Sequence, residues 1–105
     1  DRNQLQITGK TEDVNPIEPL KEKFNAFHLS TKEVDGNSVK ELNNILANTP
    51  FEKNKVNLII ANTTKGKGIS FMENEVIWHH KVPSNEQFIL AKKELEELKM
   101  NIEND

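Results

Sequence analysis

Residues 4–7, Gln-Leu-Gln-Ile, alternate polar and apolar and are closed by Thr8-Gly9, a pattern that predicts the end of a strand entering a turn. Residues 11–19 are polar with two prolines and read as a connection. Leu20, Phe24 and Phe27 then recur at spacings of four and three, which predicts one apolar stripe on a helix over about 17–28, with Pro19 in its first turn. A short strand is expected at 30–34, ended by the turn signal Asp35-Gly36-Asn37. Ser38 and Glu41 have the spacing of a capping box ahead of the stripe Val39, Leu42, Ile45, Leu46, and this second helix should stop near Asn48, before Pro50. Residues 56–61, VNLIIA, form the most apolar and β-branched run in the chain, as expected of a central strand buried on both faces of a parallel sheet. A long aperiodic stretch follows. Ser84 and Gln87 form another capping box, and Phe88, Ile89, Ala91, Leu95 and Leu98 predict a last helix of about fifteen residues, with 101–105 as a frayed tail. Strand and helix in alternation is the rhythm of an α/β fold: a partial three-layer parallel sheet with flanking helices.

Composition limits how far that sheet can stand alone. The 105 residues suffice for one domain, but 34% apolar residues and four glycines fall short of the roughly 45–50% usual in globular domains. Charged residues make up 30% with a net charge of −3, and lysines are mixed among glutamates instead of forming a basic stripe. This argues against a nucleic-acid partner. With no cysteine there is no disulfide, thiolate zinc site or cysteine nucleophile, which fits a reducing, cytoplasmic setting. No apolar run approaches the ~20 residues of a membrane span. A chain that opens at Asp1, without an initiator methionine, reads as part of something longer.

Candidate chemistry gathers after the central strand. Lys65-Gly66-Lys67-Gly68 stands where open α/β sheets place their ligands, and glycines there let backbone N–H groups approach a phosphate. It matches neither a Walker A loop nor a Gly-x-Gly-x-x-Gly fingerprint, so a turn with solvated lysines is the simpler reading. Adjacent His79 and His80 point apart in a strand or loop and suit a shared metal poorly, whereas one imidazole in a cleft can donate to a phosphate or relay a proton. The simpler reading is a surface histidine. His28 fits a helix C-terminus. Asp1 and Asn3 carry hard oxygens of the kind magnesium accepts, and Phe71 and Trp78 read as core anchors or the wall of a pocket.

Three stretches acting together carry a family resemblance: Asp1-Arg-Asn-Gln-Leu-Gln-Ile-Thr-Gly9, then Val34-Asp-Gly36, then Ile60-Ala-Asn-Thr-Thr-Lys-Gly-Lys-Gly-Ile-Ser-Phe-Met-Glu-Asn74 leading to Trp78-His79 and Pro83. The chain resembles the last third of the thiamine-diphosphate-binding domain of transketolase, most closely the N-terminal subunits of two-gene enzymes. The resemblance implies ketol transfer between phosphorylated sugars with thiamine diphosphate and Mg2+ (or Ca2+). It implies that the Asn3 side chain and the Leu5 carbonyl bind the metal, and that Leu5 and Ile7 flank the thiazolium ring. It places His79 against the diphosphate as a candidate for proton transfer, and Gly66 and Gly68 where backbone shapes the same pocket. It also implies that the partner is a pyrimidine-binding C-terminal domain or subunit, in a homodimer or heterotetramer.

The departures from the family pattern are specific. His80 stands where the family usually has glycine, Asn37 where it often has histidine, and Phe27-His28-Leu29 replaces a Phe-Gly-Trp turn. The family's Gly-Asp-Gly segment, whose aspartate is the other side-chain metal ligand, is not in the sequence. The isolated 105 residues are therefore expected to be inactive. Two rival readings are a non-catalytic interaction module that pairs its sheet edge with a partner, and part of another thiamine-diphosphate enzyme such as deoxyxylulose-phosphate synthase.

Overall fold

The β-branched run predicted to be central is a strand, shifted by one residue. In the computed structural model, which describes residues 1–103, it spans Asn57–Asn62 and pairs in parallel with Ser30–Asp35, from Ser30 opposite Asn57 to Asp35 opposite Asn62. The helix Val39–Ala47 joins these two strands, as a parallel crossover requires. Its start is set by Ser38, whose Oγ accepts from the Glu41 N–H at 3.2 Å, and it ends with Asn48 as C-cap. Only half of the expected box forms, because the Glu41 carboxylate accepts from the Asp35 N–H at 3.2 Å.

The segment from Asp1 to Thr64 is one compact unit, and the chain from Lys65 onward is a second. In chain order the first unit contains β1 (Leu5–Gln6), β2 (Gly9–Lys10), α1 (Thr11–Val14), α2 (Leu20–Ala26), β3 (Ser30–Asp35), α3 (Val39–Ala47) and β4 (Asn57–Asn62). Both α2 and α3 pack on β3.

The architecture is mixed α/β, and two expectations for it need correction. Residues 4–7 do not join the parallel sheet. Gly9, at φ +148°, turns the chain back, so β1 pairs antiparallel with β2, Leu5 opposite Lys10. The segment that meets β4 comes earlier: Arg2 bridges Asn62 in parallel, its N–H donating to the Ala61 carbonyl at 2.8 Å. Residues 11–19 are not wholly irregular either, since they begin with α1.

Burial on both faces of β4 is also not found. Only Ile60 in that strand is buried, and Val56, just ahead of it, is 70% exposed. The stripe predicted for α2 is likewise half covered: Leu20 and Phe24 are partly buried, but Phe27 follows the helix end and is 76% exposed. Val34 and Ile60 are the buried apolar side chains in this unit. A 34% apolar chain leaves much of its hydrophobic surface in water, as the composition led one to expect.

The second unit has a looped half and a helical half. Residues 65–75 form successive turns and lead into a 3-10 turn at Val76–His79. Its helix α4, Asn85–Glu103, is longer than the predicted fifteen residues and is still helical at 101–103. Residues 104 and 105 of the expected frayed tail lie outside the described residues. The capping box here is complete: Gln87 N–H donates to Ser84 Oγ at 3.2 Å, and Ser84 N–H to Gln87 Oε1 at 3.0 Å. Ala91 is the buried member of the predicted stripe, while Phe88, Ile89, Leu95 and Leu98 stay largely exposed. No described helix is long and apolar enough to cross a membrane.

Candidate functional site

The first unit gathers polar side chains at the carboxyl ends of its parallel strands. Chain directions put Arg2-Asn3, Asp35-Gly36-Asn37 and Asn62-Thr63-Thr64 at that edge, where open α/β sheets bind ligands. Asn3 Oδ1 accepts from the Leu5 N–H at 2.9 Å, forming an Asx turn that Gln4 completes at φ +62°. Asn3 and Leu5 are thereby brought together in one turn. Ile7, two residues on, is 62% exposed.

The rest of the edge is knitted by short polar side chains. Asp1 Oδ2 accepts from Asn3 Nδ2 at 3.1 Å, and its other oxygen accepts from the Thr63 hydroxyl. Asn37 Oδ1 accepts from the Thr64 N–H at 2.7 Å, and Asn37 N–H donates to Asp35 Oδ1 at 2.8 Å. Asn37 thus serves as a backbone acceptor. Gly36 is needed at the turn for space, because a Cβ there would lie 2.5 Å from Thr63 Cγ2 and 2.9 Å from Ala61 Cβ.

Beneath this edge Arg2 is buried and carries three side-chain hydrogen bonds: to Glu18 Oε1 at 2.8 Å, Thr11 Oγ1 at 2.9 Å and Glu12 Oε1 at 3.0 Å. It clamps α1 and the segment before α2 onto the strand. The carboxyl of Glu18 is held below the usual carboxylate range by the Leu20 N–H first and by Arg2 second.

In the second unit Gly66 and Gly68 share a loop closed by Asn74 N–H donating to the Lys65 carbonyl at 2.9 Å. Both glycines have positive φ, +73° and +95°. A backbone N–H in this loop that a phosphate could use is already taken: Gly68 N–H donates to Glu73 Oε1 at 3.0 Å, and Lys67 Nζ stands 3.4 Å from the same oxygen. Those two donors, the N–H foremost, hold the Glu73 carboxyl below its usual range. Ser70 is bound similarly, its hydroxyl and N–H both donating to the carboxylate of Glu94, at 2.6 and 2.7 Å. Internal glutamates therefore occupy a loop that the glycine pattern alone would leave open to an anion.

Trp78 packs edge-on against Phe71 at 5.4 Å and donates its Nε1–H to the Phe71 carbonyl at 2.9 Å, which makes the pair a local anchor. His79 ends the 3-10 turn and is exposed, its ring nearly perpendicular to that of His80 at 78°. Asn3, Leu5 and Ile7 belong to the first unit, and Gly66, Gly68 and His79 to the second.

Asn3 Oδ1 and the Leu5 carbonyl are neutral hard oxygens, the donor class magnesium takes, and Oδ1 keeps a second lone pair beyond its bond to Leu5 N–H. Among the described residues no three His, Asp or Glu side chains gather to hold a metal. The donors fit magnesium in kind and supply a minority of an octahedral set. Sequence reasoning did not foresee the roles of Asp1, Arg2, Thr63 and Glu73 as fasteners. Apart from the Asp1–Asn3 contact, their partners lie 5 to 62 residues away, so no local pattern marks them.

The chain is 38% identical over 97 residues to a protein of Phocaeicola vulgatus named as one of the subunits of apulose-4-phosphate transketolase, covering 92% of this chain. It is 42% identical over 99 residues to the protein of the same name in Actinobacillus succinogenes, covering 94%. The chain belongs to the transketolase family. A third relative, the 6-deoxy-6-sulfo-D-fructose transketolase subunit SqwG of a Clostridium species, is 35% identical over 91% of the chain. The chain spans about a third of the length of these transketolase relatives, 34%, 34% and 35%. No protein-family model matches it.

Proposed function

We propose that the chain is part of the thiamine-diphosphate-binding region of a split transketolase's first subunit, which when intact transfers a two-carbon ketol unit between phosphorylated sugars. Homology over nearly the whole chain to proteins named transketolase subunits carries this reading. The Asn3–Leu5 turn, at the strands' carboxyl ends, supports it.

Asn3 Oδ1 and the Leu5 carbonyl would give two oxygens to Mg2+ or Ca2+, with further ligands from outside these residues. Leu5 and Ile7 would offer apolar contact to the thiazolium ring, a use for an isoleucine left 62% exposed. When bound, thiamine diphosphate supplies the electron sink for breaking and making the carbon–carbon bond. Gly66 and Gly68 would contribute shape; the Gly68 N–H is committed to Glu73. The exposed His79 imidazole would hold or move a proton.

A pyrimidine-binding domain or subunit would complete the site, in a homodimer or a heterotetramer. The relatives' names differ in the sugar, an apulose phosphate or a sulfofructose, yet both sugars carry an anionic group. A ketose bearing such a group is the substrate class we assign. The rival module reading draws on exposed apolar side chains such as Phe27 and Val82, which an incomplete domain explains equally well.

Calorimetric titration of the 105 residues with thiamine diphosphate and magnesium should show weak binding, since half of the side-chain metal cage is lacking. Affinity equal to that of a complete enzyme would contradict the missing-ligand argument. In the intact protein, His79→Ala should lower turnover, and an unchanged rate would remove His79 from the site.

A further inference from the structure

The Asn3 carboxamide has two chemically different ends, only one of which can ligate a cation. Its Nδ2 donates to Asp1 Oδ2 at 3.1 Å, and its Oδ1 faces the Leu5 N–H at 2.9 Å. Exchanging the two ends would set oxygen against carboxylate and NH2 against N–H, losing both hydrogen bonds at once. The second Asp1 oxygen is engaged by the Thr63 hydroxyl, and Thr63 N–H donates to the Arg2 carbonyl at 3.3 Å. The aspartate is thus anchored to the exit of β4 while it holds the carboxamide.

We propose that Asp1 is a positioning residue: it fixes the Asn3 carboxamide so that the oxygen is the atom presented to a divalent cation, and through Thr63 it locks that orientation to the end of β4. The proposal rests on the metal-binding reading of Asn3 given above. Groups that hydrogen-bond to a metal ligand act in this manner, orienting the donor without touching the ion.

The test uses the 15N-labelled chain with Mn2+ as probe. Without metal, the Asn3 side-chain NH2 proton donated to Asp1 should exchange slowly with solvent and stand downfield of its free-amide position. Asp1→Ala should abolish that slow exchange and return the resonance to the free-amide position, while Asp1→Asn, whose carboxamide oxygen can accept from Asn3 Nδ2 while its NH2 donates to the Thr63 hydroxyl oxygen, should keep both. Mn2+ should then broaden Asn3 and Leu5 signals. The concentration for half-broadening should rise about 10- to 100-fold in Asp1→Ala and by no more than about threefold in Asp1→Asn. Thr63→Val, which frees one aspartate oxygen, should fall between.

Equal broadening in wild type and Asp1→Ala would overturn the proposal and leave the metal site intact. Loss of Mn2+ response in Asp1→Asn with its metal-free signature preserved would make Asp1 itself a ligand and overturn the positioning role. No broadening at Asn3 in the wild type would overturn the metal reading and the proposal with it.

Discussion

Replacing Gly66 by alanine should destabilise the second unit far more than the same change at Gly68, and the local geometry sets the difference. Both residues lie in the left-handed region, at φ +73° and +95°. Each alanine therefore incurs a conformational cost of about 1–2 kcal/mol, partly offset by about 0.4–1 kcal/mol from the stiffer unfolded chain. These terms are shared and cancel in the comparison.

The surroundings differ. A Cβ on Gly68 would rest 3.6 Å from Leu95 and Leu98 Cδ2 atoms, an ordinary contact with side-chain ends. A Cβ on Gly66 would sit 2.5 Å from the Met72 carbonyl oxygen and 2.7 Å from its carbon, which is backbone and cannot rotate aside. Reaching normal separation needs a shift of about 1 Å, and such overpacking costs about 1–3 kcal/mol.

That difference should appear as a midpoint shift of order 1 M in urea, given slopes of about 1–3 kcal/mol/M. The single tryptophan, Trp78, reports from the same unit through its contact with Phe71. Midpoints for Gly66→Ala and Gly68→Ala within a few tenths of a molar of each other would refute the steric argument.

Two further outcomes are expected. Arg2→Ala should strand Glu12 and Glu18 without their cation and cost about 2–3 kcal/mol, as for charge-assisted hydrogen bonds; a variant as stable as wild type by denaturation would show that the clamp contributes nothing. Acid should loosen the 65–74 loop: Glu73 is lowered from 4.5 mainly by the Gly68 N–H, and Glu94 mainly by the Ser70 hydroxyl and N–H. Because the folded values lie below the unfolded one, this stabilisation is complete above about 4.5 and is lost as pH falls through the folded values. Protection of the Gly68 and Ser70 amides, taken relative to their intrinsic exchange rates at each pH, should then fall in that window, and Glu73→Gln should remove that fall at Gly68.

Much of the element order follows from local pattern. The β-branched run at 56–61, the stripe of α3 and the capping serines 38 and 84 each act over a few residues, so their spacing in the chain is enough to read them. The Asp35-Asn37 turn was also legible, since its hydrogen bond is local, whereas Gly36 answers no positive φ and is required by the close approach of Thr63 and Ala61. The Asn3–Leu5 pairing was suggested by family resemblance, and the Asx turn gives it a physical form.

What tertiary structure decided is which distant groups meet. Nothing near Arg2 in the chain says that it pairs with Asn62, or that its guanidinium will find Thr11, Glu12 and Glu18. That residues 4–7 turn back onto 9–10 instead of entering the sheet reflects a competition between two pairings that alternation cannot resolve. The lysine–glycine loop shows the same limit: its glycines advertise free N–H groups, and only the folded loop puts Glu73 on one of them. Propensity and capping are fixed by neighbours in sequence, whereas hydrogen-bond partners and exposure depend on where the chain returns.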